Sequence, residues 1–522
     1  MKLINFKHIK FFILVCLLTI ATSCEVTDLS PANLVPEDEA YANLDRINGT
    51  VLGVYEAAQR GFYAGAVQRG YPFGAANVQQ GDMRGEDMYN DQLFYEITYT
   101  NAHGINTANN NGQWISIYRL VNRINVVLKG LDGALENKIL TEEEYNGFKG
   151  ELLFLRALSY HELLVYFSRP YSDDPSTPGV PYRVDAVDDV SLVDEAITLG
   201  RTTVREDYEL ILADLDNAEL LLSEGGAPFR VSKGAAIALK TRVKLHKQDW
   251  QGVIDEFLKI EDDFALTETP DGPFGSGTSE ENIFSFIHSA QSNPGTNGAL
   301  ASMYGDPALN GRGLVKISPV IWTADFWVAG DLRRGDVRPL DSRDSTYADQ
   351  YVAGAMVSSN PGSGIFTMKY SDFATTADPN PILRYAEVLL NTAEAYERLT
   401  QNSSNAVLLL NKVRNRSVPA MTPEITVGDD VLQAIFNERR IEFLAEGKRW
   451  FDIHRLSGEG IMDGIPEKAQ SRSVNSIKFY TGESKITYDH DLDYEDNLFI
   501  WPIPQPEIIN NPTLANQQNP GY

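Results

Sequence analysis

The chain is nearly without cysteine: its 522 residues hold two, Cys16 and Cys24. That pair cannot frame a stapled scaffold, and with seven scattered histidines it offers no zinc-ligand spacing. Long apolar runs are scarce as well. The one that stands out, Phe11 to Ile20, has 10 residues and is too short to span a bilayer. Positive charge is in deficit, with 45 Lys and Arg against 72 Asp and Glu, a formal net charge of −27. Such an acidic surface argues against nucleic acid, anionic lipid surfaces and polyanionic polymers as main partners, and favours neutral ligands. No glycine loop of the phosphate-binding kind precedes a helix. Asp489 to Asp493 begins like a calcium loop, but Tyr494 stands where the sharp turn needs glycine and Ile500 where a bidentate glutamate belongs, so it reads as a solvated acidic loop. Carboxylates are so abundant that nothing isolates two at the separation of a glycosidase pair.

What is present begins with an address. Lys2, Lys7 and Lys10 precede the apolar run, and Ala21-Thr-Ser-Cys24 follows it. Small residues ahead of a cysteine at a cleavage point resemble the lipobox of bacterial lipoproteins, with Ala21 where leucine is commoner and Cys24 as the lipid-modified first residue. Residues 1–23 are then a signal peptide, and removing their three lysines and no acids takes the net charge from −27 to −30. The mature chain, residues 24–522, keeps one thiol and forms no internal disulfide. Several acyl chains on it would anchor the protein firmly, where one would not.

Beyond a polar tether ending near Pro31, Asp45 to Gly61 reads as a helix. Residues 61–111 are rich in Gly, Asn and aromatics, Phe62, Tyr63 and Phe94 among them, with no helical or strand period, and read as a long irregular excursion that is not disordered. Helix pairs follow: one from Trp114 with a partner at Glu144 to Phe167, then Val204 to Leu222 with Lys233 to Lys247, and Ile382 to Leu399 with Ser404 to Arg416. Alanines at their seams, and Asp249-Trp250 opening the next helix, suggest tetratricopeptide-type repetition. The fold class expected is mainly α: a right-handed superhelix of about four degenerate tetratricopeptide helix pairs with large irregular insertions. Scaffold helices fall at about 114–260 and 381–456, insertions at about 61–111 and 262–378, all within a single domain, 24–522. Within the second insertion Glu281 to His288 alternates like a strand, and Pro319 to Ala329 reads as a short helix carrying Trp322, Phe326 and Trp327. Prolines from residue 498 to Tyr522 exclude a regular helix and imply an extended strap.

The most distinctive stretch is Asn437 to Asp452, continuing to Leu456. Leu432, Ile435, Phe436, Phe443 and Leu444 form an apolar stripe with Arg439 and Arg440 in its middle. Buried guanidiniums need partners, and Glu438, Glu442, Glu446 and Asp452 are at hand. The expectation is an ion-pair clamp at Gly447 and not a catalytic carboxylate pair.

Taken in order, these pieces resemble the SusD/RagB family of outer-membrane lipoproteins of Bacteroidetes. The likeness rests on Trp114-Ile-Ser-Ile-Tyr118 with Arg123-Ile-Asn125, Glu151 to Tyr160, Asp331-Leu-Arg-Arg334, Arg384-Tyr-Ala-Glu387, Glu438-Arg-Arg with Glu446 to Asp452, and the tail from Trp501-Pro-Ile-Pro504. The resemblance implies a surface-exposed, non-enzymatic protein, and the residues themselves point to no cofactor and no metal site. It would bind an oligosaccharide or polysaccharide and deliver it to a SusC-like TonB-dependent barrel transporter. Peptide import in the manner of RagB is the alternative; a surface glycoside hydrolase and a pure helical scaffold are further ones. Sugar binding needs flat aromatic faces and polar groups that replace displaced water. The family places its sites on the insertions, which points to Tyr71, Tyr89, Tyr304 and Trp327 as platforms and to Asp82, Arg84 and Asn310 as polar partners. Trp322 and Phe326 read instead as one buried helix face.

Overall fold

The computed structural model describes residues 36–60, 70–90, 95–334, 356–360, 364–470 and 477–522. The signal peptide, Cys24, Phe62, Tyr63 and Phe94 lie outside the described residues. Helix α1 (Leu44–Arg60) buries Ile47, Val51, Val54, Tyr55 and Ala58, a 3.6-residue stripe. Helix α2 spans Ala75–Met83. The long pair α3 (Ala108–Glu136) and α4 (Glu142–Phe167) packs together. A capping box starts α4: the Thr141 hydroxyl accepts from the Glu144 N–H while the Glu144 carboxylate accepts from the Thr141 N–H. Thr203 and Glu206 repeat the device at α5 (Val204–Leu221). Side-chain caps from Ser232, Asp249, Ser403 and Asp430 open α6 (Lys233–His246), α7 (Trp250–Ile260), α9 (Ser404–Asn415) and α10 (Val431–Glu442). Between these lies α8 (Tyr385–Leu399), and α11 (Arg449–Gly458) follows.

Each helix from α3 to α7 packs on the next, α7 packs on α8, and α8 packs on α9 and α10. Helices that touch their chain neighbours, even across the long insertion between α7 and α8, are what the helix-pair reading expects. The strand expected near Glu281 is Asn282–Phe286, antiparallel to Asn380–Arg384. Two large apolar cores result. One lies among the helices. The other is built by the insertions from Tyr71, Met83, Tyr89, Tyr304, Trp327 and their neighbours.

Four local expectations change. Residues 61–111 are not irregular throughout, because α2 sits there and α3 begins at Ala108. Every residue of α2 but Asn77 is buried, and a helix surrounded on all sides has no polar face to give it a period. Ile382 to Arg384 is strand, leaving α8 to start at Tyr385. The helix at Pro319 ends at Trp322, where the Thr323 hydroxyl turns back onto the Pro319 carbonyl. The strap contains a short helix, Gln505–Asn510, with Pro504 and Pro506 at its start, where a missing N–H costs nothing. A 3₁₀ turn at Leu514–Asn516 follows, and the strap is anchored: the Trp501 N–H donates to Tyr166 O at 2.8 Å, and Asn519 Nδ2 donates to the carbonyls of Phe167 and Trp501.

Candidate functional site

The clamp forms, with longer reach than its sequence suggests. Arg439 donates to Asp452, as local pairing predicts, and also to Asn391 of α8. Arg440 instead crosses to Asp87, with Nε 3.0 Å from Oδ2, and to Glu86. Glu442 and Glu446 serve Arg384, which is fully buried, and Glu442 also meets Arg333 and Arg416. Burial alone would raise the Glu442 carboxyl, but Arg416, Arg384 and Arg333 hold it well below the usual range. At the centre the backbone of Gly447 lies against α2, and a Cβ on Gly81 would fall 2.0 Å from Gly447 O. Asp82 accepts from the Gly447 N–H at 3.0 Å. These carboxylates hold helices and insertion together.

The seven predicted ligand residues fall mostly into this interior. Tyr71, Tyr89, Tyr304 and Trp327 are 3%, 0%, 0% and 1% exposed, so none offers a face for stacking. Tyr71 accepts from Gln80, Tyr89 meets Tyr99 edge-on, and Trp327 meets Trp322 edge-on. The structure does join Asp82 and Tyr304, whose hydroxyl donates to the carboxylate at 2.5 Å. Burial pushes Asp82 up to about 7 against the pull of Tyr304 and Gly447. Arg84 is buried over the Trp450 ring at 4.0 Å and donates to Phe499 O; burial lowers it to about 9. Asn310 alone is exposed, in a left-handed turn with φ 71°. The expected platforms are therefore a second core. An aromatic in a Gly- and Asn-rich stretch looks like a loop residue until its neighbours are known. Trp322 is buried as expected, while Phe326 is half-buried under Arg440.

Elsewhere among the described residues a groove of about 1000 Å³ opens. Its floor is one face of α3, where Trp114, Ile115, Tyr118, Arg119, Asn122 and Arg123 recur at helical spacing. One wall is α1 with Tyr41, and the other is the segment from Pro181 to Ile197. Asn122 fixes that second wall, accepting from the Val187 N–H at 2.8 Å and donating to its carbonyl at 3.0 Å. The Tyr118 hydroxyl donates to Pro181 O at 3.0 Å. Tyr41 lies so close over Gly130 that any Cβ there would meet its ring. Glu507, from the strap, closes one end beside Arg183 and the Trp114 indole, and burial raises its carboxyl. Trp114 is 1% exposed and packs in the interior, and no spacing in the sequence signals that, among the described residues, a stripe of α3 lies open beside it.

The family profile described as "Starch-binding associating with outer membrane" matches residues 58–245, and the SusD family profile matches residues 345–522. The chain belongs to the SusD family. Among SusD-like relatives of Formosa agariphila, protein P2 is 27% identical over 456 residues, covering 78% of this chain and 80% of that one. Protein P25 is 24% identical over the full length of both. A SusD superfamily protein from Bacteroides fragilis superposes with a TM-score of 0.72 at 27% identity, over 90% of this chain and 98% of its own. A SusD-like carbohydrate binding protein from Bacteroides vulgatus shares the fold, with a TM-score of 0.68 at 18% identity over 91% and 98% of the two chains. The mainly helical SusD fold is thus common to these proteins.

Proposed function

We propose that this protein captures an oligosaccharide at the cell surface, tethered to the outer membrane by lipid on Cys24, and passes it to a SusC-like TonB-dependent barrel without chemical change. The observation that carries this reading is the match of residues 58–245 to a family described as starch-binding and associated with the outer membrane. Among the described residues no helix is long and apolar enough to cross a membrane, in keeping with attachment through a lipid. The preformed groove on α3 is the candidate contact surface, with the half-buried rings of Tyr41 and Tyr118 beside exposed Arg119. Residues 24–522 act as one unit in this proposal. Peptide import is the second reading, favoured by the aliphatic share of the lining, including Ile115, Val126 and Val193. A glycan array, followed by calorimetry on each hit, tests the choice. Binding of a glycan with no release of reducing sugar supports capture. Binding of peptides and of no glycan would transfer the assignment to peptide import.

A further inference from the structure

The groove is basic on a protein that is strongly acidic. Three guanidiniums line it, Arg119, Arg123 and Arg183, against two carboxylates, Asp188 and Glu507. Asp188 is already held by Lys129 at 2.7 Å, and Glu507 faces Arg183. Arg119 is exposed and makes no hydrogen bond or ion pair among the described residues. Arg123 lies one turn further along the same face, donates to Gly53 O at 3.0 Å and has Glu56 near it to offset its charge. Arg119 has no such offset among the described residues, so an anion placed over its guanidinium would be favoured. The walls are fixed by the Asn122 and Tyr118 bonds, so little ordering is needed on binding.

We infer that the groove takes an acidic sugar chain, one carrying carboxylate or sulfate groups, with Arg119 meeting the anionic group and Tyr118 and Tyr41 lying against sugar rings. The inference rests on the glycan-capture reading and narrows its ligand class. It reverses the preference for neutral ligands that net charge suggests. At physiological salt the field of distant carboxylates is screened within about 8 Å, so charges inside the groove decide what binds there.

The test is calorimetry on the full-length protein with three probes: an oligogalacturonate, the same oligomer fully methyl-esterified, and a sulfated galactan oligosaccharide of matched length. At least one acidic probe should bind about tenfold or more tightly than the ester, and its affinity should fall as salt rises. Arg119→Glu should abolish that preference, while Lys412→Glu, at α9 and outside the groove lining, should not. Arg119→Glu breaks no bond, so its circular dichroism and melting should match the parent. Equal binding of acid and ester, or acid binding that Arg119→Glu leaves intact, would overturn the inference. A neutral glycan from the array that binds irrespective of Arg119, with no acidic probe binding, would leave glycan capture standing and refute the acidic ligand. No glycan of any charge binding would remove the capture reading itself.

Discussion

Replacing Arg440 by methionine keeps the aliphatic stem and removes the charge that crosses from α10 to Asp87 and Glu86. Asp87 and Glu86 are 2% and 3% exposed, and Arg449 stays behind, 2.6 Å from Glu86 but 3.5 Å from Asp87. Asp87 is therefore the group left stranded. Burial already holds its carboxyl above the ordinary 3.8, with Arg440 as the main opposing influence. Without Arg440 the carboxyl can take up a proton, which caps the cost. Protonating a group of ordinary pKa 3.8 at pH 7 spans roughly three units at about 1.4 kcal/mol each, a ceiling near 4 kcal/mol. Because part of the burial cost is already present in the parent, the expected loss is about 3 kcal/mol, within the range for breaking a buried pair. The sign of the pH dependence follows. In the variant the folded state holds the proton more tightly than the unfolded chain does, so its stability recovers as pH falls from 7 towards 4. Denaturant unfolding at pH 7 and pH 5 should show the deficit shrinking to below about 2 kcal/mol at pH 5, and adding Asp87→Asn should restore part of it at pH 7. Ligand affinity should hardly change, since the groove lies on α3. A loss under 1 kcal/mol at pH 7, or one independent of pH, would refute the account.

Two further substitutions probe the same interior. Gly81→Ala places a methyl 2.0 Å from the Gly447 carbonyl, backbone against backbone, and should cost about 3 kcal/mol or more, seen as low soluble yield and a clearly lowered melting temperature; a melting curve like the parent's would show that α2 can move away. His161 is buried between His246, Tyr208 and Phe451, and among the described residues neither ring nitrogen has a hydrogen-bond partner. Burial, aided by Arg242, depresses it to about 3, so the unfolded chain takes its proton first, and stability present above pH 6.5 is lost as pH falls towards 3. His161→Phe should remove that share, about 2 kcal/mol at pH 5 relative to pH 7. Asp82, raised to about 7, runs the opposite way, so the readout is the difference between variant and parent, and identical pH profiles would count against the reasoning.

Where the sequence could be read, local rules sufficed. Thr141 with Glu144 and Thr203 with Glu206 start their helices by a device that needs only residues three apart. The alanine seams and the order of helix pairs show through because each helix packs mainly on its chain neighbours. The insertions obey no such rule. Phe284 lies against Leu383 of the partner strand, and Arg440 finds Asp87 across 353 residues. No spacing argument reaches that far. The aromatic platforms failed for the same reason. Tyr304 is as flat as any binding-site tyrosine, but its hydroxyl already holds Asp82 and its ring lies 6.1 Å from Tyr370, tilted against it. Residue type says that a ring can stack; packing alone says whether a face is left.

Charge obeys the same distinction between inventory and placement. Arg333, Arg384, Arg439 and Arg455 are all buried and paired with carboxylates. Buried pairs cancel in the formal sum, so the net charge of −27 is carried by a surface that has fewer cations than composition implies. On such a surface an exposed arginine without a partner is a departure from the trend. Among the described residues Arg119 is one, on the uncovered stripe of α3 and inside the groove of about 1000 Å³. Composition argued for a neutral ligand by averaging over charges that never face solvent. The residues that do face the groove argue for an anionic one, and at the range of a hydrogen bond they outweigh the average.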